Sequence, residues 1–310
     1  MIRQRLFGWI PTEVTRPVRV AGWINLAFNV GIVVTGGAVR LTASGLGCPT
    51  WPMCTEESLV NTPEMGIHGV IEFANRVLTF LLVLAALATF ILVVRMRRRR
   101  PALFWLAFFV GVGIPVQAVI GGISVLVQLN PYVVGLHFVV SAIIIALCSV
   151  FVCLLYPRTA EGPAPAYLRL LIALVILFQT ITILLGVLTT GSGPHAGDAD
   201  APRNNLNSDL LQHLHSYPAY TAVGLTVVAI VVAWFARRPV LVRLLGWLLL
   251  ANVVQVVVGI IQSRTGLPPL LVGIHMLLAC VVVALMTSTA TTFRRSPEIA
   301  SEPVRLPAAP

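Results

Sequence analysis

The sequence contains no lysine, and charged residues of every kind fill only 10% of its 310 positions. A soluble domain carries about 25% charged residues, so this chain cannot clothe a water-facing surface. Cysteine is limited to five residues, which excludes a secreted scaffold held by disulfides. The first 20 residues, MIRQRLFGWIPTEVTRPVRV, have no apolar core long enough for a cleaved signal peptide. Acidic residues number 11 against 21 arginines, a net charge of +10. With 57% hydrophobic residues and a mean hydropathy of +0.92, that excess reports membrane orientation. Composition excludes nucleic-acid binding and general disorder.

What is present in quantity is long apolar runs, the signature of bilayer-spanning helices. Eight segments are expected, at about 19–39, 67–94, 102–127, 132–156, 167–190, 209–235, 240–262 and 269–292. Of the 21 arginines, 17 fall in the tails and connections on one side and four, Arg40, Arg76, Arg203 and Arg264, on the other. Positive charge marks the cytoplasmic side. The expectation is a multi-pass cell-membrane protein with both termini cytoplasmic and the 40–66 and 191–208 loops on the outer face. The tail after Arg295 reads as disordered.

The chain repeats itself. VQAVIGGISVLVQLNPYVVGLH begins at Val116 and VQVVVGIIQSRTGLPPLLVGIH at Val254, an offset of 138 that Pro101 and Pro239 also obey. Four helices separate the copies, so the halves are parallel repeats. The expected fold is all-α: two tandem four-helix bundles with pseudo-twofold symmetry. The expected domains are a 1–18 tail, a 19–156 bundle, a 157–166 linker, a 167–292 bundle and a 293–310 tail.

Ionisable groups inside a membrane mark function. His68, His137, His213, His215 and His275 all fall near the outer ends of even-numbered segments. His137 follows Pro131 by six residues and His275 follows Pro269 by six, about 9 Å down each helix. Paired histidines on facing helices of a four-helix bundle suit haem iron. His213 and His215 point to opposite sides of one helix, so only one faces the bundle. His195, in an outer loop, is expected to be solvated. Glu72 is the only acid within an apolar segment, and it shares a helical face with His68 and Asn75. It reads either as a proton-transfer group or as the partner of Arg76. Cys48 and Cys54, in CPTWPMC, read either as a structural disulfide or as a redox thiol pair. Arg40 and Arg203 read either as ligands of anionic groups such as propionates or as solvated side chains. Cys148, Cys153 and Cys280 read as packing residues.

In order along the chain, TGGAVRLTASGLGCPTWPMC (35–54), IEFANR (71–76), GGISVLVQLNPYVVGLH ending at His137, TGSGPHAGD (190–198) followed by LHS with His215, and GIIQSRTGLPPLLVGIH ending at His275 resemble the heme A synthase family. The resemblance covers about residues 30–290. It implies oxidation of a methyl group of heme O to a formyl group, giving heme A for terminal oxidases. It implies a heme b held by His215 and His275, and substrate heme O held by His137. Glu72 then matches the family's catalytic acid, and Cys48 and Cys54 its loop disulfide. Heme O synthase and terminal oxidase assembly factors are the partners it implies, in contact with membrane lipid and not with nucleic acid.

One departure stands out. Where the family motif Glu-x-x-His-Arg has histidine, this chain has Asn75, followed by Arg76. The leading expectation is that His68, on the same face about 10 Å nearer the outside, replaces the missing ligand through an unwound or shifted start of its helix. The others are ligation by His137 alone, or an Asn75 contact to a bound water or oxygen species. A di-haem electron carrier resembling a cytochrome b, and a repeat-built transporter, are the competing functional classes.

Overall fold

The chain is rich in helix-starting signals. Proline stands in the first turn of α1 (Arg16–Leu41), α3 (Pro101–Leu126), α4 (Pro131–Leu154), α7 (Pro239–Arg264) and α8 (Pro269–Thr291). There its fixed φ is pre-set for the helix and its missing N–H costs nothing. Asn130 caps α4 by accepting from the Tyr132 amide, and Asn207 caps α6 (Ser208–Phe235) by accepting from Leu210. The remaining helices are α2 (Gly66–Val93) and α5 (Ala166–Ser192). These elements come from a computed structural model that describes residues 10–157 and 164–293. Residues 1–9, 158–163 and 294–310, which hold the start of the N-terminal tail, most of the linker and the tail expected to be disordered, lie outside the described residues.

All eight helices have the length and hydropathy to span a bilayer. A helix of 26 residues, such as α1, extends about 39 Å, against a hydrocarbon core of about 30 Å. Their outer faces carry large exposed apolar side chains, among them Phe80, Leu84, Trp105, Leu170 and Trp247, as a lipid-facing surface requires. The eight expected segments all form, with ends shifted by a few residues.

α1 packs on α2, α2 on α3, α3 on α4, and α4 returns to α1; α5 to α8 close a second ring in the same order. The rings meet through α4 with α8, α1 with α8, and α4 with α5. Exchanging the two halves maps this contact set onto itself, which is consistent with the expected pseudo-twofold relation. Each ring is most tightly packed at one end. In the first, Val18, Val93, Met96, Leu103, Phe151 and Leu155 form the base. In the second, Leu168, Ile172, Ala229, Ala233, Leu241 and Leu245 do. Two pairs of buried amides bond to each other nearby, as polar side chains do among membrane helices. Asn29 Nδ2 donates to Asn25 Oδ1 at 3.1 Å, and Gln179 Nε2 to Asn252 Oδ1 at 2.6 Å. Cys148 and Cys280 are buried and Cys153 is half-buried, as expected of packing residues.

Gly22 and Gly31 on α1 test this packing. A Cβ at Gly22 falls 2.8 Å from Leu155 Cδ1 and 2.9 Å from Phe151 Cε1, whereas nothing lies within 4 Å at Gly31. Gly22→Val should lower the unfolding free energy by about 1–3 kcal/mol through overpacking, read as a lower melting temperature in detergent, and Gly31→Val should not. Equal melting temperatures would show that the base is not packed as described.

Candidate functional site: a histidine pair and its altered repeat

The end of the second ring away from its base opens around two imidazoles. His215 on α6 faces His275 on α8 with ring centres 6.2 Å apart and planes 69° to each other. Metal–imidazole bonds are about 2 Å, so two rings ligating one metal from opposite sides have centres about 6 Å apart. His215 Nδ1 lies 2.8 Å from the carbonyl oxygen of Thr182 on α5. A carbonyl only accepts, so Nδ1 carries the proton and Nε2 is the free ligand, oriented as metal-binding histidines are by a second partner. Gly186 on α5 makes room for the ring, since a Cβ there falls 2.8 Å from His215 Cε1. Gly259 on α7 does the same for His275, at 3.3 Å. Gln255 Nε2 donates to the His275 carbonyl at 3.0 Å, fixing that turn of α8. His275 Nδ1 is buried without a hydrogen bond, close to the backbone of Gln255.

No group of three or more His, Cys, Asp or Glu able to hold a metal ion occurs among the described residues. A bare structural or catalytic metal takes three or four protein ligands. A pair of axial imidazoles instead suits a metal whose equatorial positions belong to a macrocycle.

The first ring repeats most of this. His137 on α4 lies against Gly121 on α3, where a Cβ would be 3.1 Å from Cε1. Gln117 Nε2 donates to the His137 carbonyl at 2.9 Å, and His137 Nδ1 is buried without a partner. The residue of α2 that corresponds to His215 is Asn75. A Cβ at Gly36 on α1 would be 3.9 Å from Asn75 Nδ2. Thr35 Oγ1 lies 2.7 Å from Asn75 Oδ1 and 3.2 Å from the Ile32 carbonyl. Gly36 and Gly186, and Ile32 and Thr182, are both 150 residues apart. Asn75 therefore stands in the first ring where His215 stands in the second. The Thr35 hydroxyl fills the gap that the shorter side chain leaves to the backbone carbonyl.

His68 is not brought to this position. It is exposed, and its Nδ1 lies 2.9 Å from Ser44 Oγ in the following loop of α1. α2 is regular from Gly66 onward, with no unwinding to carry His68 inward, and seven residues of helix keep it about 10 Å outward of Asn75.

Glu72 is buried and paired. Its Oε1 accepts from Arg76 Nη2 at 2.5 Å and Nε at 3.2 Å, and its Oε2 accepts from the Cys48 amide at 2.7 Å. Arg76 further donates to the carbonyls of Cys48, Thr50 and Met53, each at 3.1 Å. Cys48 and Cys54 form a disulfide, so this loop is fixed covalently at its ends and ionically along its length.

Three expectations change at the outer loops. His195 is half-buried, with Nε2 2.7 Å from the Leu267 carbonyl, because its loop folds back over the α7–α8 turn. Arg40 donates to the carbonyls of His195 and Thr190, and Arg203 to those of Ala201 and Pro194. Both are therefore spent on loop carbonyls. Of the adjacent pair, His215 faces the ring while His213 is exposed, with Nδ1 2.7 Å from the Asp209 carbonyl.

Sequence reasoning did not identify Thr35, Gly36 or Gly186 as site residues. Their signal was the 150-residue offset between the first helices of the two halves, which differs from the 138 offset of the last. Gln117 and Gln255 served only as landmarks of the repeat, although both support a histidine.

The fold and site define a polytopic membrane protein built around a paired-histidine centre in one half and an Asn–His variant of it in the other. Residues 19–287 match the COX15-CtaA family, described as cytochrome oxidase assembly protein, and the chain belongs to that family. Similar curated proteins are named heme A synthase. One from Exiguobacterium sibiricum is 29% identical over 161 residues, covering 50% of this chain and 53% of its own. One from Geobacillus kaustophilus is 27% identical over 135 residues, 44% of this chain and 41% of its own. One from Listeria welshimeri is 25% identical over 276 residues, 82% of this chain and 88% of its own. The chain spans about half the length of the first two.

Arg76→Ala removes all the guanidinium hydrogen bonds to the disulfide loop. Charge-assisted bonds contribute about 1.5–3 kcal/mol each, so amide exchange across residues 48–58 should rise at least tenfold by mass spectrometry. Unchanged exchange would show that the disulfide alone holds the loop.

Proposed function

We propose that this protein is a heme A synthase, a membrane oxidoreductase that converts a methyl substituent of heme O to a formyl group. The observation that carries the reading is the inequality of the two rings. One holds two imidazoles at haem-ligating separation; the other sets a single imidazole, His137, opposite an amide. Two imidazoles would suit a haem that stays bound, whereas a substrate must be able to enter and leave. His215 and His275 are assigned to a b-type haem, which supplies one-electron redox chemistry when bound. His137 is assigned to the iron of heme O on one face. Asn75 and Thr35 occupy the other face with groups that hydrogen-bond but do not ligate iron strongly.

Glu72 lies three residues from Asn75, one turn toward the loop. As a half-reaction, a methyl group plus water gives a formyl group, four protons and four electrons; the electrons pass to an external acceptor, and Glu72 is the buried carboxyl placed to accept protons. Arg76 holds it in place. The Arg-rich helix ends are assigned to the cytoplasmic side and the Cys48–Cys54 loop to the outer side. A heme O synthase supplies the substrate, and terminal oxidase assembly takes the product. The electron-carrier reading calls for a second bis-histidine site, which the Asn75–His137 arrangement does not offer.

Four substitutions test the assignment. His275→Ala should abolish the b-type absorbance of the purified protein, and retention of that absorbance would reject the ligand pair. Asn75→His should convert bound heme O to a bis-histidine spectrum, whereas His68→Ala should leave spectrum and turnover unchanged. The opposite result would restore His68 as the ligand. Glu72→Gln should keep both haems yet lower conversion about 100-fold, within the range of general acid–base catalysis; unchanged turnover would make Glu72 purely structural.

A further inference from the structure

The apex of the Cys48–Cys54 loop is Trp51, and its indole lies against the backbone of α3. A Cβ at Gly122 would fall 2.6 Å from Trp51 Cγ and closer still to Cδ2 and Cε2. Only glycine leaves that space. The preceding residue, Gly121, is the one that backs His137, at 3.1 Å from Cε1. Two consecutive glycines thus receive the two rings, the histidine on one side and the tryptophan on the next.

The loop that delivers Trp51 is held from α2. Glu72 accepts from the Cys48 amide, and Arg76 donates to the Cys48, Thr50 and Met53 carbonyls. Thr50 Oγ1 also donates to the Met53 carbonyl at 2.9 Å across the loop. Trp51 therefore spans from α2 to α3 at the outer mouth of the first ring, on a support with little freedom. It is only half-buried, so part of the indole is accessible. The second ring has no such feature. Gly259 repeats Gly121, but Ile260 takes the place of Gly122, 138 residues on. Ile260 is 39% exposed, and the 191–208 loop contains neither cysteine nor tryptophan.

We propose that Trp51 is a substrate-contact residue of the first ring: its indole roofs the site beside His137, takes the apolar edge of the porphyrin, and closes the reacting substituent off from water. Aromatic rings supply large, rigid apolar area for such a contact, and exclusion of water protects an oxidation from side reactions. This assignment rests on the first ring being the heme O site. Glu72 and Arg76 contribute to it as positioning residues, through the loop.

The test is heme O titration of detergent-solubilised protein carrying its resident haem, followed by difference absorbance. Trp51→Ala should weaken heme O binding about tenfold, and Trp51→Phe should stay within threefold of the unsubstituted protein. Gly122→Ala should reproduce Trp51→Ala, because the added methyl occupies the place of the indole while Trp51 itself is retained. Throughout, the absorbance of the His215–His275 haem, the melting temperature and the Cys48–Cys54 disulfide should be unchanged. Binding within twofold of the unsubstituted protein for both Trp51→Ala and Gly122→Ala would overturn the role of Trp51 alone. Absence of heme O binding by the unsubstituted protein would overturn both this role and the reading beneath it. A drop in melting temperature that accompanies the weakened binding in every variant, Trp51→Phe included, would also overturn it, showing general loss of structure.

Discussion

An imidazole inside a membrane helix is costly and has to be held in place by its neighbours. This chain meets that demand with one local design. A glycine on the neighbouring helix lets the ring lie against backbone, as Gly121, Gly259 and Gly186 do. A glutamine 20 residues earlier holds the histidine's own turn, as Gln117 and Gln255 do. A backbone carbonyl fixes the proton on His215 Nδ1. The ring closure of the helices, the positions of the glycines and the repeat itself all follow from keeping these imidazoles in register.

The remainder of each half serves that end. Apolar packing is concentrated at the base, away from the histidines, where small and branched side chains interlock. The opposite end is left to glycines, hydroxyls and loop carbonyls. The halves are joined near their sites as well as at their bases. A Cβ at Gly37 would fall 2.8 Å from Met276 Cε, and these residues adjoin Gly36, behind Asn75, and His275. The outer loops cross the same boundary, since Gly45 N donates to the Gly197 carbonyl at 2.8 Å and Arg40 reaches His195. The two sites thus sit on one continuous scaffold.

Much of this was legible in the sequence, for identifiable reasons. Eight spans follow from run length. The equivalence of His137 and His275 follows from the 138-residue offset, because depth along a helix is set by rise per residue. Periodicity alone left open which of His213 and His215 faces inward; the resemblance implied His215, and the Thr182 carbonyl holds that ring. His68 could reach the site only if the start of its helix unwound or shifted, and α2 is regular from Gly66 onward. The loops were least legible. Arg40, Arg203 and His195 read as solvated or ligand-seeking, yet Arg40 and His195 bind carbonyls distant in sequence and Arg203 binds carbonyls of its own loop. Trp51 gave no signal at all, because its meaning depends on a glycine 71 positions later.

The central claim is that two related rings do unequal work, one holding a permanent haem and the other a haem that is chemically changed. It is tested most directly by mass-resolved extraction of the haems bound to the purified protein, expressed with a source of heme O. The account predicts heme B together with heme O, heme A or an oxidation intermediate between them. Two heme B per chain with no other haem would contradict it in favour of an electron carrier, and the absence of any haem would show that the histidine pair serves another purpose.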